Sequence, residues 1–300
     1  MLAVAAPAAT PPPFAELRWI APSAAEDALI LQPATCLRFE AHDRTVVLAG
    51  QALFNSPALL GGQAAKAGLS CASCHVNGRD NVHFLMAGVS GAPGTADVTH
   101  SFFSAARGNA SFDPVAIPDL AMPGKVSRDV AAGALAPFIR TLIVEEFSGR
   151  EPSQALLDAL GAYVRAVGTC ANGVTVTPRA LADQLQIVRG ALDGANNMAR
   201  RGQADAARAL IAAARHQLGV IAERYQSPMF LAEQRDLLAA SRALQDLGGA
   251  AGHGQEFAVA TTTWSARFER GLAKRLQAKE SLSFYNPSNL AFVAPQQNSR

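Results

Sequence analysis

Two cysteines three residues apart with a histidine directly after them, Cys71-Ala72-Ser73-Cys74-His75, carry the most specific chemistry in this sequence. On a helical turn positions i and i+3 share a face, so both sulfurs can reach one porphyrin edge and form thioethers with its two vinyl groups. The adjacent imidazole then serves the iron as an axial ligand. The pattern points to one covalently attached haem (heme c) held by Cys71, Cys74 and His75. Two other chemistries use a C-x-x-C pair. Zinc needs two further ligands at paired spacing, and the remaining cysteines, Cys36 and Cys170, are isolated. A thiol redox motif expects a βαβ setting, whereas a small-residue stretch, Gly61 to Ser70, runs straight into this pair.

Helices must hold such a site on both sides. Val46 to Phe54 reads as one, and Leu156 to Val167 reads as another, with Leu156, Leu160, Tyr163 and Val167 at the 4-3-4 spacing of a helix face. In these features the two helices resemble those of the cytochrome c fold, where a glycine and an aromatic of the N-terminal helix meet a C-terminal helix that carries a tyrosine. The resemblance implies that Gly50 lets two backbones approach and that the aromatic, Phe54, fills the crossing with the Tyr163 helix.

Gly50 to His75, reading GQALFNSPALLGGQAAKAGLSCASCH, resembles a haem domain of the bacterial dihaem cytochrome c peroxidase and methylamine-utilisation (MauG-like) group. That group carries L-F-x-x-P-x-L-S ahead of S-C-x-S-C-H. The resemblance spans about residues 46–170 and loosens after His75: Gly91 to His100 stands where the group has a Gly-rich stretch and R-N-T-P-T-L-x-N, and Phe112-Asp113-Pro114 stands where it has W-D-G-R. It implies a cytochrome c-like haem domain and haem attachment outside the cytosol, on the periplasmic side in a bacterium. Those peroxidases work with two haems in tandem. This chain has a single C-x-x-C-H, which excludes a self-contained dihaem mechanism.

The sixth iron ligand separates the remaining functions, because a thioether there marks a high-potential electron carrier. Met122, in Leu120-Ala121-Met122-Pro123-Gly124, resembles the distal Met-Pro loop of class I cytochromes c and is the first choice; Met86, His83 and His100 compete with it. The expected function is that of a monohaem c-type cytochrome in periplasmic electron transfer, serving a redox protein partner rather than acting as an enzyme. The alternatives are a peroxidase-like haem enzyme drawing electrons from a partner and a haem-bearing binding or sensing module. Cys36 and Cys170 bracket the haem domain, and an oxidising compartment would permit a disulfide between them.

Composition sets the frame. The 300 residues are 49% hydrophobic and 17% charged, enough for a sizeable core. With 26 basic against 24 acidic residues the net charge is +2, which gives no nucleic-acid surface. No apolar run reaches the length of a membrane span, so no transmembrane segment is expected. Met1 to Ala9 reads equally as the end of a secretory signal or as the start of a disordered Ala/Pro tail running through Pro13. After Gly173 the sequence turns to long amphipathic helices. Leu181, Leu185, Val188 and Leu192 form one stripe, Ala207, Leu210, Ile211, Ala214, Leu218, Ile221 and Tyr225 a second, Leu237, Leu238 and Leu244 a third, and Trp264, Phe268, Leu272 and Leu276 a fourth. His216 stands alone there, with no metal-binding motif around it. The expected class is all-α: a signal remnant or tail with a lead-in (1–35), a cytochrome c-like haem domain (36–173), and a four-helix bundle with a C-terminal tail (174–300). The tail from Ser281 should wrap a surface or fray.

Overall fold

The computed structural model describes residues 14–290 apart from positions 105, 107 and 132. The signal remnant or tail expected over Met1 to Pro13, and the last ten residues, lie outside the described residues. The described chain is 61% helix and 5% strand, in agreement with the all-α class. The lead-in is folded from Phe14 onward: a 3-10 turn at Ala15–Trp19 precedes α1 (Ala25–Ile30) and β1 (Leu31–Pro33). The first half then runs through α2 (Arg44–Phe54), α3 (Gly62–Ala67), α4 (Cys71–Cys74), a two-residue ladder of β2 (Thr95–Ala96) with β3 (Val115–Ala116), α5 (Leu135–Thr141) and α6 (Gln154–Ala166). β4 (Val176–Pro178) returns to β1, with Leu31 opposite Pro178 in an antiparallel pair.

α2 is apolar nearly all round, with Val47, Leu48, Ala49, Ala52, Leu53 and Phe54 buried. Such a helix must be covered on more than one face. One face meets α6 at the expected crossing. A Cβ on Gly50 would stand 1.9 Å from the Ala159 carbonyl oxygen and 2.8 Å from Tyr163 Cβ, so no side chain fits. Tyr163 is fully buried there, its ring 5.1 Å from that of Phe54. The other face meets α7 (Leu181–Arg200), whose Gly190 and Gly194 would bring a Cβ to 2.8 Å from Leu48 Cβ and 2.6 Å from Ala49 Cβ.

The second half continues with α8 (Ala204–Arg224), α9 (Leu231–Gly249), α10 (Gly254–Phe268), α11 (Lys274–Ala278) and α12 (Pro287–Leu290). A π-helical turn, Glu269–Ala273, joins α10 to α11. α7 packs on α8, α8 on α9, and α10 returns to α7. Ala206, Ala207, Ala213 and Ala214 are buried on α8, where small side chains let neighbouring helices come close. Leu238 departs from its expected stripe: it is 53% exposed, while Leu237 and Leu244 are buried. One apolar cluster runs from Trp19 and Val47 through Leu160 and Leu185 to Leu210 and Leu276, so the core crosses the compositional boundary at Gly173 without a gap.

The lead-in and the end of the described chain meet at α8. Arg224 donates to the Leu29 carbonyl at 2.9 Å, pairs with Glu16 at 3.0 Å and lies over the rings of Phe14 and Tyr285. Residues 281–290 therefore wrap the molecule, with Leu290 buried against Phe14 and Leu29.

Two glycines give opposite expectations. Gly50→Ala should destabilise the chain by about 3 kcal/mol or more, since backbone faces the new methyl group. Gly219→Ala lies exposed in the middle of α8 with nothing within 4 Å, and should stabilise by about 0.5–1 kcal/mol through helix propensity. Urea unfolding midpoints of the two variants test both.

Candidate functional site

α4 is a single turn and would not persist without help at both ends. Ser70 and Ser73 supply a reciprocal capping box at its start, the Ser70 N–H donating to Ser73 Oγ at 3.0 Å. At its end Asn81 donates its backbone N–H to the Cys74 carbonyl and its Nδ2 to the Ser73 carbonyl at 2.8 Å. The chain then turns sharply through two left-handed residues, Asn77 (φ 54°) and Gly78 (φ 76°). Gly78 presses on Val167 at the end of α6, where a Cβ would come within 2.5 Å of Val167 Cγ2. Cys71 and Cys74 sit one turn apart, unbonded and half-buried. Burial pushes the Cys71 thiol up to about 11; burial, reinforced by Cys71, pushes Cys74 up to about 12. Both are therefore thiols rather than thiolates at neutral pH, unlike a reactive redox pair.

His75 is set by its back nitrogen. Nδ1 lies 3.1 Å from the Pro118 carbonyl oxygen, and a carbonyl only accepts, so Nδ1 carries the proton and Nε2 the lone pair. Burial lowers the His75 pKa to about 4 against the opposing pull of the Pro118 carbonyl and Asp119, which keeps the ring neutral. The Phe54 ring stands 6.4 Å away. Nearby, the Tyr163 hydroxyl is buried with no hydrogen-bond partner among the described residues; burial and Cys71 hold its pKa above the ordinary range. Two thiols on one turn, an imidazole with Nδ1 engaged, and an orphaned buried hydroxyl form a donor set that suits a haem. Among the described residues no group of three His, Cys, Asp or Glu side chains is placed to hold a metal ion.

The other candidates have different surroundings. Met122 is 49% exposed in a tight turn whose backbone N–H bonds back to the Asp119 carbonyl at 3.2 Å. That turn directly follows Pro118, whose carbonyl meets His75 Nδ1. Met86 is partly buried and packed on the core. His100 accepts from the Phe102 N–H at 3.2 Å and meets the Phe112 ring edge-on. His83 lines a cavity of about 1330 Å³, together with Ala72, Ser73, Asn81, Asp183 and His216. Cys71, Cys74 and His75 do not line that cavity, so the thiols and the cavity use different faces of α4.

Cys36 and Cys170 form a disulfide with Cα atoms 5.0 Å apart, joining points 134 residues distant in sequence. The Cys36 N–H to Gly168 carbonyl and Arg38 N–H to Ala166 carbonyl bonds lay the lead-in beside the end of α6. A closed loop of that length contributes about 4–5 kcal/mol in the chain-entropy account.

Sequence reading did not identify Pro118, Asp119 or Arg79 as part of the site. Arg79 Nε and Nη2 each bond Asp119 at 2.7 Å, forming a bidentate pair beside the histidine's acceptor. These residues lie about forty positions apart on irregular loops, where no periodicity marks a contact.

Burial also lowers the His216 pKa to about 4. An unfolded histidine titrates near 6.5, so between those values the unfolded haem-free chain binds more protons at positions 75 and 216 than the folded chain does. Their contribution is complete above about pH 6.5, falls as the pH drops, and is flat below about pH 4. Denaturant midpoints across this window should fall with pH, and His216→Gln should remove part of the slope. An identical slope in that variant would remove His216 from the account.

No family model, curated protein or solved structure matches this chain, so the reading of the site rests on its own residues.

Proposed function

We propose that this chain is a monohaem c-type cytochrome that carries electrons outside the cytosol. In this reading a cytochrome c-like haem region resembling one domain of the dihaem peroxidases is followed by a four-helix bundle. The observation that carries the proposal is the hydrogen bond from His75 Nδ1 to the Pro118 carbonyl, made next to two unpaired thiols one turn apart. An axial histidine characteristically donates its second ring nitrogen to a backbone carbonyl, which fixes the ring and strengthens it as a ligand. Haem iron supplies a one-electron couple; the chain tethers the group through Cys71 and Cys74, ligates through His75, and walls the site with Phe54 and Tyr163.

Further support comes from the close crossing at Gly50, which brings Phe54 and Tyr163 together beside His75. The Cys36–Cys170 disulfide favours an oxidising compartment. Among the described residues no helix is long and apolar enough to cross a membrane. One observation favours the peroxidase-like reading as runner-up. Met122 is 49% exposed in a backbone turn, whereas a thioether that served the iron would be drawn into the site.

Attachment is tested directly. Cys71→Ser and Cys74→Ser should each weaken covalent haem retention and the double variant should abolish it, read by haem staining after denaturing electrophoresis. Unchanged staining in the double variant would sink the cytochrome reading.

The sixth ligand separates carrier from enzyme. In the carrier, Met122→Ala should abolish the Met–iron charge-transfer band, admit carbon monoxide and lower the reduction potential, because a soft sulfur stabilises ferrous iron. The same losses in Met86→Ala, with Met122→Ala silent, would assign the ligand to Met86. If neither variant changes the spectrum, carbon monoxide decides: exclusion from the wild-type iron assigns the ligand to His83 or His100, and ready binding shows a vacant position and replaces the carrier with the peroxidase-like reading.

A further inference from the structure

We propose that Arg79 and Asp119 form a clamp that aims the Pro118 carbonyl at His75, making both of them positioning residues for the axial histidine. The consequence at iron rests on the haem reading above; the clamp itself rests on the polypeptide.

Three contacts join the loop after α4 to the loop at 118–120. His75 Nδ1 meets the Pro118 carbonyl at 3.1 Å, the Leu120 N–H meets the Gly78 carbonyl at 3.2 Å, and Arg79 grips Asp119 with two bonds of 2.7 Å. The Arg79 and Asp119 side chains are each only 13% exposed, so the pair is shielded from the screening that weakens surface ion pairs. Arg79 also donates Nη1 to the Ala34 carbonyl at 2.8 Å, and Asp119 Oδ1 accepts from the Ala121 N–H at 2.9 Å. The fork is thus held from the lead-in, and the carboxylate closes the turn that begins at Asp119, directly after Pro118.

Pro118 has no N–H of its own to hold it. The direction of its carbonyl is therefore set by the residue that follows, Asp119. Drift of a few tenths of an ångström from 3.1 Å would take the contact out of hydrogen-bond range. A planar fork on a carboxylate fixes direction as well as distance, which a lysine cannot do. A well-aimed carbonyl strengthens the imidazole as a donor, which favours ferric iron. Loosening the clamp should therefore raise the reduction potential. The pair is neutral overall, so removing both charges together isolates aim from charge.

The test compares Arg79→Gln/Asp119→Asn with wild type. In the haem-free full chain, made in a Cys71→Ser/Cys74→Ser background, long-range proton–nitrogen NMR reads the His75 tautomer. Wild type should hold the Nδ1–H form, and the double variant should lose that preference by about tenfold, the scale of one hydrogen bond. In the haem-loaded chain, which keeps Cys71 and Cys74, the same double variant should show a raised potential. An unchanged tautomer ratio in the folded double variant would overturn the clamp. Should the double variant not fold, Arg79→Lys decides: it keeps the charge, loses the fork, and should still shift the tautomer ratio several-fold, whereas no shift overturns the proposal. A wild-type chain that stains for no haem would defeat the haem reading alone, because the tautomer measurement needs none.

Discussion

The backbone of α2 passes its neighbours at distances that leave no room for a side chain, and the rest of the architecture follows from that constraint. Gly50 opens the contact with Ala159 on one side, while Gly190 and Gly194 open the contacts with Leu48 and Ala49 on the other. Held from both faces, α2 has little freedom to slide or rotate, since packed interiors shift in discrete arrangements rather than continuously. Phe54 at its C-terminal end is therefore fixed against Tyr163, and both rings stand beside the Cys71–His75 turn. A local rule about glycine thus becomes a tolerance on the position of an imidazole.

The lead-in is organised differently, by arginines serving irregular backbone. Arg224 reaches the Leu29 carbonyl, Arg179 the Ala28 carbonyl, and Arg79 the Ala34 carbonyl. A segment with little ladder of its own carries carbonyls that need partners when covered, and a guanidinium can serve a carbonyl and a carboxylate at once. Glu16 answers two of these arginines and Asp119 the third. The charges are paired where they are least solvated, so each fork acts as a rivet between the lead-in and a helix or loop made much later in the chain.

What could be read in the sequence followed from range. The Cys71–His75 pattern is contained in five residues, and the Leu156–Val167 face is contained in three helical turns, so both were legible. Gly50 was legible because Gly50 and Phe54, set ahead of a helix with Tyr163, resemble the paired helices of the cytochrome c fold. The folding of residues 14–35 was not, since β1 finds its partner at β4 and Glu16 finds Arg179 and Arg224 far along the chain. The continuity of the core past Gly173 was hidden for a related reason. Composition changes there, but Gly190 and Gly194 announce a partner only once α2 is placed against them. Leu238 was misassigned because a third leucine on a helix satisfies the period whether or not a neighbour covers it.

The disulfide between Cys36 and Cys170 has a consequence for the order of events in a newly made chain. Four cysteines admit three complete pairings, and loop closure favours the nearest partners, so Cys71 with Cys74 is the kinetically easy oxidation product. That product would consume the two sulfurs a haem needs. Cys36, by contrast, waits until residue 170 has been delivered. Once the fold has closed, burial keeps Cys71 and Cys74 protonated and slow to oxidise. The vulnerable interval lies earlier, while the turn is still open. For a haem-carrying chain, maturation is then a race for two thiols, decided before the long-range bridge that seals the fold can form.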